Sequence, residues 1–129
     1  IGHEIDLVCP ARVLDLAAGY PAGGVGVIVD TFHLWWDPEV GDQIQRAGRE
    51  GRIAGYQVSD FLMPLPADVL LGRAMMGDGV IDLPKLRRWI EAAGYDGPQE
   101  VEIFSANTWW QRPGPEVIAT CLDWFHTVC

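Results

Sequence analysis

Polar side chains follow three apolar stretches of this chain, and their chemical types suit cation binding and proton transfer. The first stretch, residues 25–29, is β-branched and apolar, which predicts a strand buried on both faces. In α/β proteins the chemistry lies at the C-terminal ends of such strands. Carboxylate and amide oxygens and imidazoles bind hard or borderline divalent cations. The three sets are Asp30 with His33, Gln57 with Asp60, and Glu102 with Ser105.

Each of these side chains also has a simpler structural interpretation. Asp30 could cap the turn that follows it, and His33 could be a hydrogen-bonded structural histidine. Glu102 lies between Val101 and Ile103 inside a predicted strand, where a charge is costly unless it is paired or bound to a cation. The structural alternative for Glu102 is an ion pair with an arginine.

An arginine and two tryptophan pairs add candidate substrate contacts. Arg73, in the long loop 61–81, could hold sugar hydroxyls or a phosphate, or could be a solvated surface residue. The pairs Trp35-Trp36 and Trp109-Trp110 each follow a predicted strand end, where they could stack on a sugar ring or pack at the rim. The chain carries neither a G-x-G-x-x-G nor a Walker sequence, so a nucleotide cofactor has no support.

Strands and helices alternate along the chain and predict parallel βα units. Strands are predicted at 25–30, 53–58 and 100–104, and the last helix, from about Pro115, is predicted to bury one apolar face. A full eight-stranded barrel needs about 250 residues, about twice the 129 present. A small open three-layer sheet is the alternative. The other helices are predicted at 11–18, from Asp37-Pro38 to Gly48, and from Asp82 to Gly94. The buried face of the last helix is predicted to consist of Val117, Ile118, Cys121, Leu122 and Phe125.

Composition narrows the classes of partner and compartment. A formal net charge of −9 repels phosphate backbones and argues against nucleic-acid binding. No stretch reaches the ~18–20 apolar residues of a membrane span, and no signal peptide is visible. The three cysteines have no metal-type spacing, which favours free thiols and a cytoplasmic protein.

The chain contains three short motifs within longer segments that resemble a known family. In chain order they are D-x-x-H, G-D-G-x-I-D and E-V-E-I. From Gly24 onward the chain thereby resembles the sugar phosphate isomerase/epimerase superfamily, the xylose isomerase-like TIM barrels. The resemblance implies that residues 1–129 are the C-terminal part of such a domain, a partial (β/α)8 barrel with roughly the last three strands and their helices. The segments are VGVIVDTFHLWWDP, QVSDFLMPLP and GRAMMGDGVIDLPKLRRWIEAAGYDGPQEVEIFS.

The resemblance also implies a divalent metal (Mn, Mg, Co or Zn) at the barrel mouth. It places Asp30 and Glu102 on the metal and gives Glu102 a second role in proton transfer. It places His33 and Arg73 on the substrate. Trp35 is the candidate for stacking on the sugar. Gln57 stands where the family has a histidine ligand, and its amide oxygen favours Mg or Mn. The family's first glutamate ligand would come from an earlier strand that is not recognisable in this sequence.

The function predicted on this basis is metal-dependent isomerisation or epimerisation of a sugar, keto-sugar or sugar phosphate through an enediolate. An inosose-type dehydratase on the same scaffold is the first alternative, and a degenerate, non-catalytic half-barrel is the second. An endonuclease acting at abasic DNA is disfavoured by the negative charge. The expected partner is a small sugar or polyol. The chain alone is expected to be close to inactive and to associate with itself, because a half-barrel leaves strand edges open.

Overall fold

The computed structural model describes residues 10–128, which form alternating helices and strands. The predicted helices and strands are all present, and one additional short helix directly follows the first strand. A turn of 3-10 helix, Trp109–Gln111, precedes the last helix. The elements are α1 (Pro10–Ala17), β1 (Val27–Asp30), α2 (Thr31–Leu34), α3 (Val40–Arg49), β2 (Ile53–Val58), α4 (Leu83–Ala92), β3 (Gln99–Val101) and α5 (Gly114–Thr127).

The three strands form one parallel sheet in the order β1-β2-β3. In this register Asp30 lies beside Gln57, and Gln57 lies beside Glu100. Paired residues of neighbouring strands point to the same face, so the register brings these polar side chains to one face at the C-terminal ends of the strands. The parallel order confirms the predicted α/β arrangement.

One face of the sheet packs against helices and forms the core. Val29 of β1 and Tyr56 and Val58 of β2 are buried there, in the same cluster as Ile44 of α3 and Ile90 of α4. Burial of each such side chain contributes roughly 1.5–3 kcal/mol. The alternate residue Ile28 points to the opposite face and is 56% exposed.

The ends of α3 differ from the prediction. Asp37 does not cap the helix: its Oδ1 accepts a 2.8 Å bond from the Glu39 amide in a preceding turn, and α3 begins at Val40. Gly48 lies inside the helix, where a Cβ atom would overlap the Ala93 carbonyl after α4. The chain turns at Gly51 instead, whose φ of 62° suits glycine.

The buried face of α5 also differs from the prediction. Val117, Cys121 and Trp124 pack against the core, whereas Ile118 is 63% and Leu122 58% exposed. The helix carries two apolar stripes, and the core cluster covers only the one that contains Val117. Among residues 10–128, no helix has the length and apolarity that crossing a membrane requires.

Candidate active site

Arg73 brings together three of the predicted site residues. Its side chain is 2% exposed. Its Nη1 atom donates to Glu102 Oε2 at 2.8 Å and to Asp30 Oδ2 at 3.2 Å. Its Nη2 atom lies 3.1 Å from His33 Nε2. The surface interpretation of Arg73 is therefore wrong, and the guanidinium is the centre of a buried polar cluster.

Two phenylalanines enclose this guanidinium. Its central carbon lies 4.3 Å from the centroid of the Phe32 ring and 4.7 Å from that of Phe104. The Arg73 amide also donates to the Phe104 carbonyl at 2.9 Å, which fixes the loop beside the strand end. Aromatic faces attract a cation and keep water away from it, so the charge of Arg73 acts at short range on its carboxylate partners.

Asp30 caps the turn that follows it, which is one of the interpretations that the sequence left open, and it also faces Arg73. Its Oδ1 accepts a 2.8 Å bond from the Phe32 amide and caps α2. Its Oδ2 faces Arg73 and lies 3.6 Å from His33 Nε2. Because one oxygen satisfies the helix start, only the other is directed to the cluster.

Glu102 lies just beyond the end of β3 rather than inside a strand. The predicted strand 100–104 is too long, because ladder pairing ends at Val101, although the Glu102 amide still donates to the Val58 carbonyl at 2.9 Å. Burial raises the pKa of the Glu102 carboxyl above its usual range, and neighbouring Asp30 raises it further; Arg73 acts in the opposite direction. A carboxyl tuned in this way is suited to accepting and returning a proton.

The predicted metal ligands do not all converge. The side chains of Asp30 and Glu102 are neighbours, but the Gln57 amide donates to Glu100 Oε2 at 3.1 Å. Within residues 10–128, no group of three or more His, Cys, Asp or Glu side chains is arranged to hold a metal ion. Two adjacent carboxylates fit a divalent cation as part of a ligand set, but both contact the same nitrogen of Arg73, which must move aside for a cation to bind.

Trp35 lies next to this cluster rather than against the guanidinium. Its ring centroid is 5.2 Å from that of Phe61, which is in turn 5.2 Å from that of Phe32. It also lines a cavity of about 190 Å³ between the starts of α3 and α4, together with Trp36 and Trp89. Trp109 packs against the core, whereas Trp110 is 54% exposed.

Several residues that build the site were not singled out from the sequence. Thr31 is fully buried and ties β1 to β2, because its hydroxyl donates to the Ser59 carbonyl at 2.8 Å and accepts from the Ser59 amide at 3.1 Å. Phe32 and Phe104 each lie two residues after a candidate carboxylate, Asp30 and Glu102, and this spacing was the available signal for a shielded site.

Comparison with known proteins gives a family and a set of structural neighbours. The family model described as xylose isomerase-like TIM barrel matches residues 2–128. Protein SMc04130 from Sinorhizobium meliloti 1021 superimposes with a TM-score of 0.89 and 50% identity, over 93% of this chain and 43% of that one. No curated protein matches the sequence.

Two more distant structures share the fold. The IolI protein, whose structure contains a bound zinc atom, gives a TM-score of 0.75 at 20% identity, over 92% of this chain and 42% of its own. A candidate sugar phosphate isomerase/epimerase from Anabaena variabilis ATCC 29413 gives 0.63 at 21% identity, over 91% of this chain and 40% of its own. The chain thus spans less than half the length of these barrels, which confirms a partial barrel.

Proposed function

We propose, because this chain belongs to the xylose isomerase-like TIM barrel family, that it is part of an enzyme that isomerises or epimerises a sugar, keto-sugar or sugar phosphate. The chain spans only part of its structural neighbours, so the active protein is the complete barrel. The observation that carries the proposal is the cluster of Arg73, Asp30, His33 and Glu102.

Glu102 is the proton-transfer group in this proposal. A carboxylate that removes a proton next to a carbonyl must be basic enough to accept it and acidic enough to return it. Burial and the adjacent Asp30, which both raise the pKa of Glu102, move this side chain in that direction. The side chain remains 28% exposed, so a substrate at the strand ends can reach it.

Arg73 and His33 bind the substrate in this proposal. The guanidinium is held between two aromatic rings with its Nη2 atom 3.1 Å from His33 Nε2, and the His33 side chain is 43% exposed, so a substrate meets His33 first and Arg73 behind it. Such donors bind hydroxyl, enediolate or phosphate oxygens. Trp35 is the residue that stacks on the sugar in this proposal, and its ring centroid lies 5.2 Å from that of Phe61.

Asp30 and Glu102 are the proposed metal ligands of this chain, and Gln57 would join them only after leaving Glu100. A divalent cation bound there supplies Lewis-acid polarisation of a carbonyl oxygen. The zinc in the IolI neighbour supports a divalent metal without fixing its identity. The remaining ligands would come from the other part of the barrel.

The test is solvent deuterium exchange into a panel of sugars and keto-sugars by the complete protein. Glu102→Gln should reduce exchange by about 10²–10⁴-fold, the usual contribution of a general base. Glu91→Gln is the control, because Glu91 lies on α4 and pairs with Arg87 outside the cluster. Equal exchange rates for Glu102→Gln and the unchanged protein would rule out this assignment.

Dehydration of an inosose-like cyclitol is the alternative reaction, because it begins with the same proton abstraction. Product analysis separates the two, since dehydration gives an unsaturated or diketo product and isomerisation conserves mass. The pairing of Gln57 with Glu100 favours a third possibility, a non-catalytic half-barrel. Metal content of the complete protein decides this case, since a protein that neither contains nor takes up metal supports the non-catalytic form.

A further inference from the structure

A second buried carboxylate, Asp60, lies two residues beyond β2 and holds the loop that carries Arg73. Asp60 is 1% exposed. Its Oδ1 accepts from the amides of Phe61 at 2.8 Å and Ile81 at 2.9 Å. Its Oδ2 accepts from the amides of Gly77 and Gly79, both at 3.0 Å. All four donors are uncharged backbone groups, and three of them lie at the far end of the loop.

The backbone of Asp60 holds the near end of the same segment. Its amide donates to the Ala74 carbonyl, and the Ala74 amide donates back to the Asp60 carbonyl, both at 3.0 Å. Asp60 therefore fixes residue 74 with its main chain and residues 77–81 with its side chain. Arg73 directly precedes the first of these two attachments.

The glycines of the loop are those that this arrangement requires. Gly77 has a φ of 91°, and a Cβ there would also meet Trp124 at 2.8 Å. A Cβ at Gly79 would overlap Asp60 Oδ1 and lie 2.5 Å from the Phe61 carbonyl oxygen. A turn whose successive amides point inward makes a concave anion site, and here the anion is a side chain of the protein itself.

We propose that Asp60 is a positioning residue, which places the Arg73 guanidinium between Asp30 and Glu102 by folding residues 74–81 around its carboxylate. Phe104 attaches to the same loop from the other side, through the bond from the Arg73 amide. Without the carboxylate, four amides lose a charged acceptor, and the loop is free to leave the strand ends. The inference rests on the proposed function only for what Arg73 does to a substrate.

The experiment measures the access of a reagent to Arg73 directly. Phenylglyoxal modification of the full chain, mapped by mass spectrometry, compares Arg73 with Arg52, which is 8% exposed and donates to the Tyr20 and Val25 carbonyls. In Asp60→Asn, which keeps the side-chain size, modification of Arg73 should be about tenfold faster or more while Arg52 stays slow. Asp78→Asn, an exposed aspartate of the same loop, should leave both rates unchanged.

Two results would overturn the proposal. An unchanged rate at Arg73 in Asp60→Asn means that other contacts place the guanidinium. Equal acceleration at Arg73 and Arg52 means that Asp60 maintains the whole fold instead of this loop. Gly79→Ala is the second variant, since its methyl displaces the carboxylate without changing Asp60, and it must give the same selective acceleration. Because this measurement does not depend on enzymatic activity, failure of the proposal for Asp60 can be distinguished from failure of the proposed reaction.

Discussion

Arg73 Nη1 lies 2.8 Å from Glu102 Oε2, and the same nitrogen lies 3.2 Å from Asp30 Oδ2. Two carboxylates so close together repel each other, and the raised pKa of Glu102 reflects its burial and this neighbour. The buried guanidinium is the charge that holds them together. Removing it should therefore cost more than the loss of its hydrogen bonds.

Replacing Arg73 with methionine should lower the free energy of unfolding by about 2–3 kcal/mol, somewhat below the usual cost of breaking a fully buried pair because Glu102 is partly exposed. Urea titration of the full chain measures this. Arg112→Met is the control, since it removes an exposed pair with Glu116 that contributes about 0–1 kcal/mol. The double variant with Glu102→Gln should be less destabilised than Arg73→Met alone; if it is not, charge repulsion is not the cause.

The roles of the two carboxylate oxygens of Asp30 should be distinguishable with a pair of variants. Asparagine caps helices about as well as aspartate, so Asp30→Asn should keep the bond to the Phe32 amide. Asp30→Ala loses the cap and should be less stable than Asp30→Asn by about 1 kcal/mol. Thermal unfolding of the two variants tests this.

The same two variants should have similar affinities for a divalent cation, because both remove the negative charge that faces Arg73. In the complete barrel, both should bind a divalent cation at least ~10-fold more weakly than the unchanged protein. Asp82, whose Oδ1 caps α4 at the Lys85 amide, is the control: Asp82→Asn and Asp82→Ala should differ in stability and leave metal affinity unchanged. Retained affinity in Asp30→Asn would remove Asp30 from the proposed ligand set.

The parts of the fold that could be predicted from sequence are those set by local pattern. Short apolar runs bounded by polar residues predicted the three strands, and parallel pairing then placed Asp30 and Glu102 at the ends of β1 and β3, on either side of β2. The register also put Gln57 on their face. Its side-chain direction depends on which partner lies within reach, here Glu100, and no local pattern encodes that choice.

The burial of Arg73 was beyond prediction for a different reason. Its loop is held by non-local contacts, the pairings of Asp60 with Ala74 and of Gly72 with Ser105, which fold the chain back over the strand ends. Similarly, periodicity showed that α5 is amphipathic but could not distinguish the stripe of Val117 from that of Ile118. The choice between them depends on where the loop around Met75 and Gly77 packs, which is a tertiary property.

Cys121 provides a prediction on pH dependence. Burial raises the pKa of its thiol above the usual value. Since the thiolate is the nucleophile, the reaction with Ellman's reagent in the folded chain should have its midpoint at higher pH than in the urea-unfolded chain. By linkage, the stability associated with the neutral thiol is complete below the pKa of the unfolded state and is lost as the pH rises through the folded pKa.

The measurement uses a variant in which Cys9 and Cys129 are serine, so that only Cys121 reacts. Rates are recorded across alkaline pH in the folded and the urea-unfolded chain. A single shared midpoint would mean that α5 does not shield the thiol, contrary to its packing beside Met75, where the two sulfur atoms are 3.8 Å apart.

Self-association of the 129-residue chain is the remaining prediction. Among the described residues, β1 and β3 each pair with one strand only, and their apolar side chains Ile28 and Val101 are 56% and 42% exposed. Exposed apolar edge strands favour pairing with another chain, so sedimentation velocity should show association that increases with concentration. Ile28→Lys should reduce it, because a lysine on an edge strand blocks pairing. Leu65→Lys, at a loop position of equal exposure, should leave it unchanged. A monomer at every concentration with cooperative unfolding would contradict this prediction and show that the half-barrel is stable by itself.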